Sequence, residues 1–211
     1  GLYTWMNNPE SQMVAVTVRA GSKAEMALPD GTFVHLNAAT NLEYDVNNSK
    51  QRLVKLSGEA FFDVAKNPDC PFKVIINDLQ IEVVGTSFNV KTYKKDIVET
   101  SLLSGRIRIS GGSLPHEYTL SPGQKATYSA MDRTLRTSKA DAHVEAGWRD
   151  NYLIFESTPL IDVIAQIERW YGVEIRLHHK QIAQDLLSGS FRNESIQNVI
   201  RSLSIQYGFK Y

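Results

Sequence analysis

Residues 53–90 read LVKLSGEAFFDVAKNPDCPFKVIINDLQIEVVGTSFNV, and the reading of this stretch decides the fold. Val54, Leu56, Ala60, Phe62 and Val64 fall on even positions, while Lys55, Ser57, Glu59 and Asp63 fall on odd ones. That is the period of a half-buried strand, whose successive side chains point to opposite faces. Gly58 stands mid-run, where a strand bends or another backbone comes close. Asn67-Pro68 and Pro71 interrupt the alternation before Phe72, Val74 and Ile76 resume it, and Asn77-Asp78 supplies the residue types of a tight hairpin turn. Ile81 and Val83 lie on odd positions but Phe88 and Val90 on even ones, so the inward face changes parity across Gly85-Thr86, as a bulge or corner requires.

The same pattern extends in both directions. Upstream, Val14, Val16 and Val18 alternate as a strand, Pro29-Asp30-Gly31 turns a hairpin within residues 26–36, and Leu42, Tyr44 and Val46 form another strand closed by Asn47-Asn48. Residues 1–12 show little periodicity and read as a mobile lead-in. Downstream, Val98 and Leu102 are even while Ile107 and Ile109 are odd, a second parity change across a glycine, Gly105. Residues 118–128, YTLSPGQKATY, echo the apolar, Pro, Gly, strand wording of residues 27–36. Roughly ten short strands without a helical period argue an all-β domain, β-helix-like or roll-like or a sandwich, over residues 13–143. Glycines at the parity changes favour strands that turn corners.

Beyond residue 140 the period becomes helical. Leu160, Val163, Ile164 and Ile167 follow the i, i+3, i+4, i+7 rule, with Thr158-Pro159 as cap and first position and Gly172 as the stop. Ile196, Val199, Ile200 and Leu203 repeat it, with Asn193 as the expected cap and Gly208 as the stop. A constant offset relates Phe155 to Phe191, Leu160 to Ile196, Val163 to Val199, Ile167 to Leu203, Tyr171 to Tyr207 and Gly172 to Gly208. Residues 173–175 and 209–211 read as strands after each helix. The expectation is a small α+β domain, a βαβ-βαβ repeat, over residues 144–211.

Lys plus Arg and Asp plus Glu both number 23, so the chain carries no overall basic footprint for nucleic acid or an anionic membrane. One cysteine, Cys70, excludes an intramolecular disulfide and any multi-Cys metal motif. No apolar run approaches the ~18 to 20 residues that span a bilayer. Glu59 and Asp63 share one polar strand face ~13 Å apart, too far for a glycosidase pair, and read as solvated. His178 and His179 diverge whether on strand or helix, and His35, His116 and His143 stand alone, so no metal, cofactor or catalytic residue is expected. Trp170 and Tyr171, with Phe191 and Arg192, are the candidate partner-contact residues, although aromatic residues at helical spacing more often serve a core.

GEAFFDVAKNPDCPFKV followed by IEVVGTSFNV resembles the core of the periplasmic domain of FecR-like anti-sigma factors. ALPDGTFVHLNAATNLEY, SLLSGRIRI and LSPGQKATY are similar to the family's other strand motifs. Residues 148–211 resemble the carboxy-terminal domain of Bacteroidota members, itself similar to the short secretin and TonB-receptor amino-terminal fold. The resemblance implies a non-enzymatic periplasmic relay, in which the signalling domain of a TonB-dependent outer-membrane receptor is the partner. An extracytoplasmic-function sigma factor is reached only through a cytoplasmic part, and the membrane only through a helix, neither of which this sequence contains. The competing expectation is a glycan-binding or structural β module of the cell envelope.

Overall fold

The computed structural model describes residues 12–46, 51–178 and 180–211. The lead-in up to residue 11, the turn at Asn47-Asn48 and His179 lie outside the described residues. β1 (Met13–Val18) enters a first sheet, and the hairpin of β2 (Ala24–Ala27) and β3 (Phe33–Leu36) a second. β4 (Thr40–Asp45) and β5 (Arg52–Ser57) return to the first sheet, and β6 (Glu59–Asp63) to the second. The hairpins β7 (Phe72–Ile76) with β8 (Leu79–Val83), and β11 (Ile107–Gly111) with β12 (Tyr118–Leu120), complete the first. β9 (Ser87–Lys91) with β10 (Ile97–Ser104), and β13 (Gln124–Ser129) with β14 (Thr134–Lys139), complete the second.

Among the described residues each sheet has seven strands stacked in chain order, and the chain changes sheet after every one or two strands. Every pairing is antiparallel except β5 with β7. The ladders are thus those of a sandwich, while the winding is that of a roll. Both inner faces share one core, in which Phe62 stacks on Phe88 with centroids 5.2 Å apart and meets Phe72 at 5.8 Å.

The glycine positions mark the crossings. Residues 53–64, one continuous pattern in the sequence, are two strands in different sheets, because Gly58 adopts a φ of 111° and a Cβ there would lie 2.4 Å from Thr40 Oγ1. Parity survives this crossing because both strands face the same core. Gly85 and Gly105 lie at two further crossings, where parity does change.

A second core forms beyond α1 (Ala142–Ala146) and a 3-10 turn, Gly147–Asp150. β15 (Tyr152–Pro159) pairs antiparallel with β16 (Leu186–Arg192), and α2 (Leu160–Tyr171) and α3 (Ile196–Tyr207) pack on the pair through Val163, Ile167, Val199 and Leu203. Both helices end on left-handed glycines, Gly172 at φ 67° and Gly208 at φ 74°, as read from the sequence. The cap of α3 is Ser195, whose hydroxyl accepts the Asn198 N–H at 3.2 Å, rather than Asn193. At the head of α2, Pro159 is the cap and Thr158 instead bonds to Glu156. The strands expected at residues 173–175 and 209–211 are not formed, and in the first the Val173 and Ile175 amides are taken by the carbonyl and carboxylate of Glu168.

Arg52 ties the turns of the β part together. Its side chain is 3% exposed and donates to the carbonyls of Cys70 at 2.6 Å, Ala65 at 2.6 Å and Asn67 at 3.2 Å, and to Asp30 Oδ2 at 3.2 Å. Removing a buried cation leaves its acceptors dry and unpaired, so Arg52→Ala is expected to lower unfolding free energy by about 3 to 5 kcal/mol. A urea unfolding curve matching wild type would contradict this role.

Candidate functional site

The outer face of β6 is where the two cores meet. Alternation places Glu59 and Phe61 outward, yet both are buried: the 3-10 turn after α1 packs Trp148 on Phe61 and bonds it to Asn89, the partner of Glu59. Phe61, Ala146 and Trp148 form a small apolar cluster flanked by Leu103 and Trp170, and the Arg149 guanidinium sits 3.5 Å from the Phe61 ring centroid. The expectation of a solvated Glu59 is therefore corrected by the second part of the chain, which covers the face that period-2 alternation assigns to water. Asp63, at the far end of the strand, is exposed as expected and accepts from Ser87.

Glu59 is held by two amides. Asn37 Nδ2 donates to one carboxylate oxygen at 2.8 Å and Asn89 Nδ2 to the other at 2.9 Å. The Ala38 N–H donates to Asn37 Oδ1, and the Trp148 indole N–H donates to Asn89 Oδ1 at 3.1 Å, which fixes the orientation of both amides. Burial lifts the Glu59 carboxyl above its ordinary range, against the pull of Lys91 and the two amides.

Further contacts join the parts. Lys23 Nζ, in the loop after β1, donates to the Trp148 carbonyl at 2.7 Å and to Asn151 Oδ1 at 3.0 Å, and lies 3.6 Å from the Trp170 ring centroid. Burial pulls its pKa down to about 8, with Glu59 opposing. The neighbouring Gly21 N–H donates to the Arg169 carbonyl at 2.8 Å. Arg169 stacks over Tyr93 at 4.1 Å, and Lys94 pairs with Asp162 at 2.6 Å, both bridging from the β9–β10 loop to α2.

Beside these contacts lies a cleft of about 600 Å³, walled by β9, β10, α1, β15 and α2, with Glu59 and Trp148 among its lining residues. Lys125 pairs there with Glu99 and Glu145, each at 2.9 Å, and Lys91 with Glu99 at 3.7 Å. Burial acts to raise Glu99, but Lys91 and Lys125 outweigh it and hold the carboxyl below its ordinary range. Among the described residues no group of three or more His, Cys, Asp or Glu side chains is placed to hold a metal ion. The geometry is that of a joint rather than of converging reactive groups.

The four sequence candidates do not form one patch. Trp170 sits half-buried in the joint under Lys23, while Tyr171 donates its hydroxyl to the Glu194 carbonyl at 2.8 Å. Phe191 packs edge-on against Phe155, and exposed Arg192 covers Tyr152. Sequence reasoning missed Lys23, Asn37, Asn89, Trp148 and Arg169. One signal was present: Phe61 is an aromatic residue on a face otherwise read as wet.

Residues 14–108 match the family model described as FecR protein, and residues 152–211 the one described as FecR, C-terminal. A crystal structure of a candidate anti-sigma factor from Parabacteroides distasonis ATCC 8503 is 30% identical, with a TM-score of 0.85 over 94% of this chain and 93% of that one. A second crystal structure with the same description and organism gives 30% identity and a TM-score of 0.86 over 95% and 94%. No curated protein matches.

Trp148→Phe removes the indole donor and leaves Asn89 Oδ1 buried and unpaired, with an expected loss of about 1 to 3 kcal/mol on urea unfolding; an unchanged midpoint would contradict the network. A second expectation concerns pH. A carboxyl whose pKa rises on folding contributes its stability below the unfolded value of about 4.3, and that contribution is lost as pH climbs through the folded value. Wild-type stability should therefore fall relative to that of Glu59→Gln as pH rises from about 4 to 8. Parallel pH profiles for the two proteins would show that Glu59 does not titrate in a buried site.

Proposed function

We propose, from the premise that this chain belongs to the FecR-like family of anti-sigma factors, that its residues form the periplasmic sensing and relay region of such a regulator. The likeness covers both parts of the chain at once, and this observation carries the reading. In this account the α+β domain, residues 144–211, receives the signalling domain of a TonB-dependent outer-membrane receptor. The all-β domain, residues 13–143, passes the signal toward a membrane helix and a cytoplasmic part that holds an extracytoplasmic-function sigma factor. We assign the chain to the Bacteroidota type, in keeping with the source of the matched structures, and its last domain to the secretin and TonB short amino-terminal fold.

Two features support a relay over the glycan-binding alternative. A two-stranded sheet has edges that accept another strand, and the joint built on Glu59 and Trp148 ties that sheet to the β part. A sugar-gripping surface needs a row of exposed aromatic rings. Phe33 is the one aromatic among the exposed large hydrophobic residues described in the β part.

Titrating the signalling domain of a TonB-dependent receptor encoded beside the regulator's gene, where there is one, into the isotope-labelled chain is expected to shift amide signals within residues 152–211. Spectra unchanged at millimolar signalling domain would overturn the receptor assignment.

A further inference from the structure

The cleft at the joint contains one cation that the chain itself does not satisfy. Of the four on its walls, Lys91, Lys94 and Lys125 each meet a carboxylate. Arg169 makes no ion pair and no side-chain hydrogen bond among the described residues; it stacks on Tyr93, while Glu59, Asp162 and Glu168 act on it from beyond contact. Burial pulls it below the ordinary guanidinium value. Among the described residues no side-chain nitrogen is both sealed from water and unpaired, so the unused donors of Arg169 stay within reach of a solute. A half-buried guanidinium in that state is suited to a carboxylate, which it takes through two parallel N–H···O bonds.

The walls select the chemistry of an occupant. One face of α2 supplies Asp162, Ala165, Gln166 and Arg169, and one side-chain face of β15 supplies Tyr152, Ile154 and Glu156. Ile154 and Ala165 add apolar surface to that of Tyr93, Trp148, Tyr152 and Trp170, which also line the cleft. The Gln166 amide reaches the Ile154 carbonyl only at 3.4 Å, so a weakly held second donor stands one turn from Arg169. Glu99, Glu145 and Asp162 are taken by the lysines, and Glu156 has no ion pair among the described residues, so the walls carry no surplus of positive charge. A polyanion is thereby disfavoured, whereas a single carboxylate matches the one unmatched guanidinium in charge and in shape. The volume of about 600 Å³ lies within the range of small-molecule sites.

We infer that this cleft is a binding site for a small organic monocarboxylate, whose carboxylate is gripped by Arg169 and whose apolar body lies against Ile154, Ala165 and the neighbouring rings. Arg169 belongs to the carboxy-terminal part, and Tyr93, on which it stacks, to the β part. An occupant therefore bears on both parts and stabilises their docked arrangement by mass action. The site goes beyond the relay reading and depends on no receptor: it adds a chemical input at the joint itself.

The test uses the full 211-residue chain, isotope-labelled, at constant ionic strength. The probes are sodium phenylacetate, its neutral counterpart phenylacetamide, and sodium sulfate. Phenylacetate is expected to shift the Arg169 Nε–H signal together with the amides of Tyr93 and Ile154, and to bind about tenfold more tightly than phenylacetamide. Its affinity is expected to fall about tenfold in Arg169→Gln and to vanish in Ala165→Trp, which fills the cleft from α2, with wild-type spectra elsewhere certifying both folds. The comparison of phenylacetate with phenylacetamide on the wild-type chain needs neither variant to fold. Unmoved Arg169 and Ile154 signals at tens of millimolar phenylacetate overturn the site, as does an undiminished response in Arg169→Gln or Ala165→Trp. Phenylacetamide binding as tightly as phenylacetate overturns the role of the carboxylate, and sulfate competing as strongly for Arg169 overturns the monocarboxylate class.

Discussion

A carboxylate kept out of water constrains the whole molecule. Glu59 lies on the back of a β6 whose front, through Ala60 and Phe62, forms the main core. A dry carboxylate is costly unless every oxygen is met, and here each receives one amide whose own oxygen is already committed. The last donor in that chain, the indole of Trp148, comes from the other part of the protein. The β part is therefore complete only when the carboxy-terminal part is docked. The ion pair at the rim, Lys94 with Asp162, is more exposed and contributes orientation more than energy, about 0 to 1 kcal/mol.

The joint has the character expected of a coupling element. Its apolar cluster is small beside the two cores that it links, and polar and cation–π contacts from Lys23, Arg149 and Arg169 surround it. Large apolar interfaces lock domains, whereas small polar ones yield first when a molecule opens locally. A ligand that reorients α2 or β15 acts directly on Tyr93 through Arg169 and on Asn89 through Trp148. Both residues belong to the segment from β9 into the β9–β10 loop, in the middle of the second sheet.

Much of this architecture was legible in the sequence because it rests on local rules. Alternation located the strands, the Pro29-Asp30-Gly31 and Asn77-Asp78 turns located hairpins, and parity changes at Gly85 and Gly105 marked crossings between sheets. Periodicity with Gly172 and Gly208 located both helices. What escaped was long-range. The hydrogen-bond network around Glu59 ends on Trp148, far away in the chain, and the Arg52 clamp gathers carbonyls from loops that no pattern relates. The strand expected after the first helix failed because Glu168 takes the Val173 and Ile175 amides. Alternation reports one covered face and cannot tell that a later segment covers the other.

The central claim is that an event on the carboxy-terminal part reaches the β part through the Glu59, Asn89 and Trp148 network. Hydrogen exchange of the full chain, with and without the receptor signalling domain, tests it most directly. The account predicts altered protection in β6 and β9 as well as within residues 152–211, with the β6 and β9 response lost in Trp148→Phe. Changes confined to residues 152–211 in the wild-type chain would contradict it.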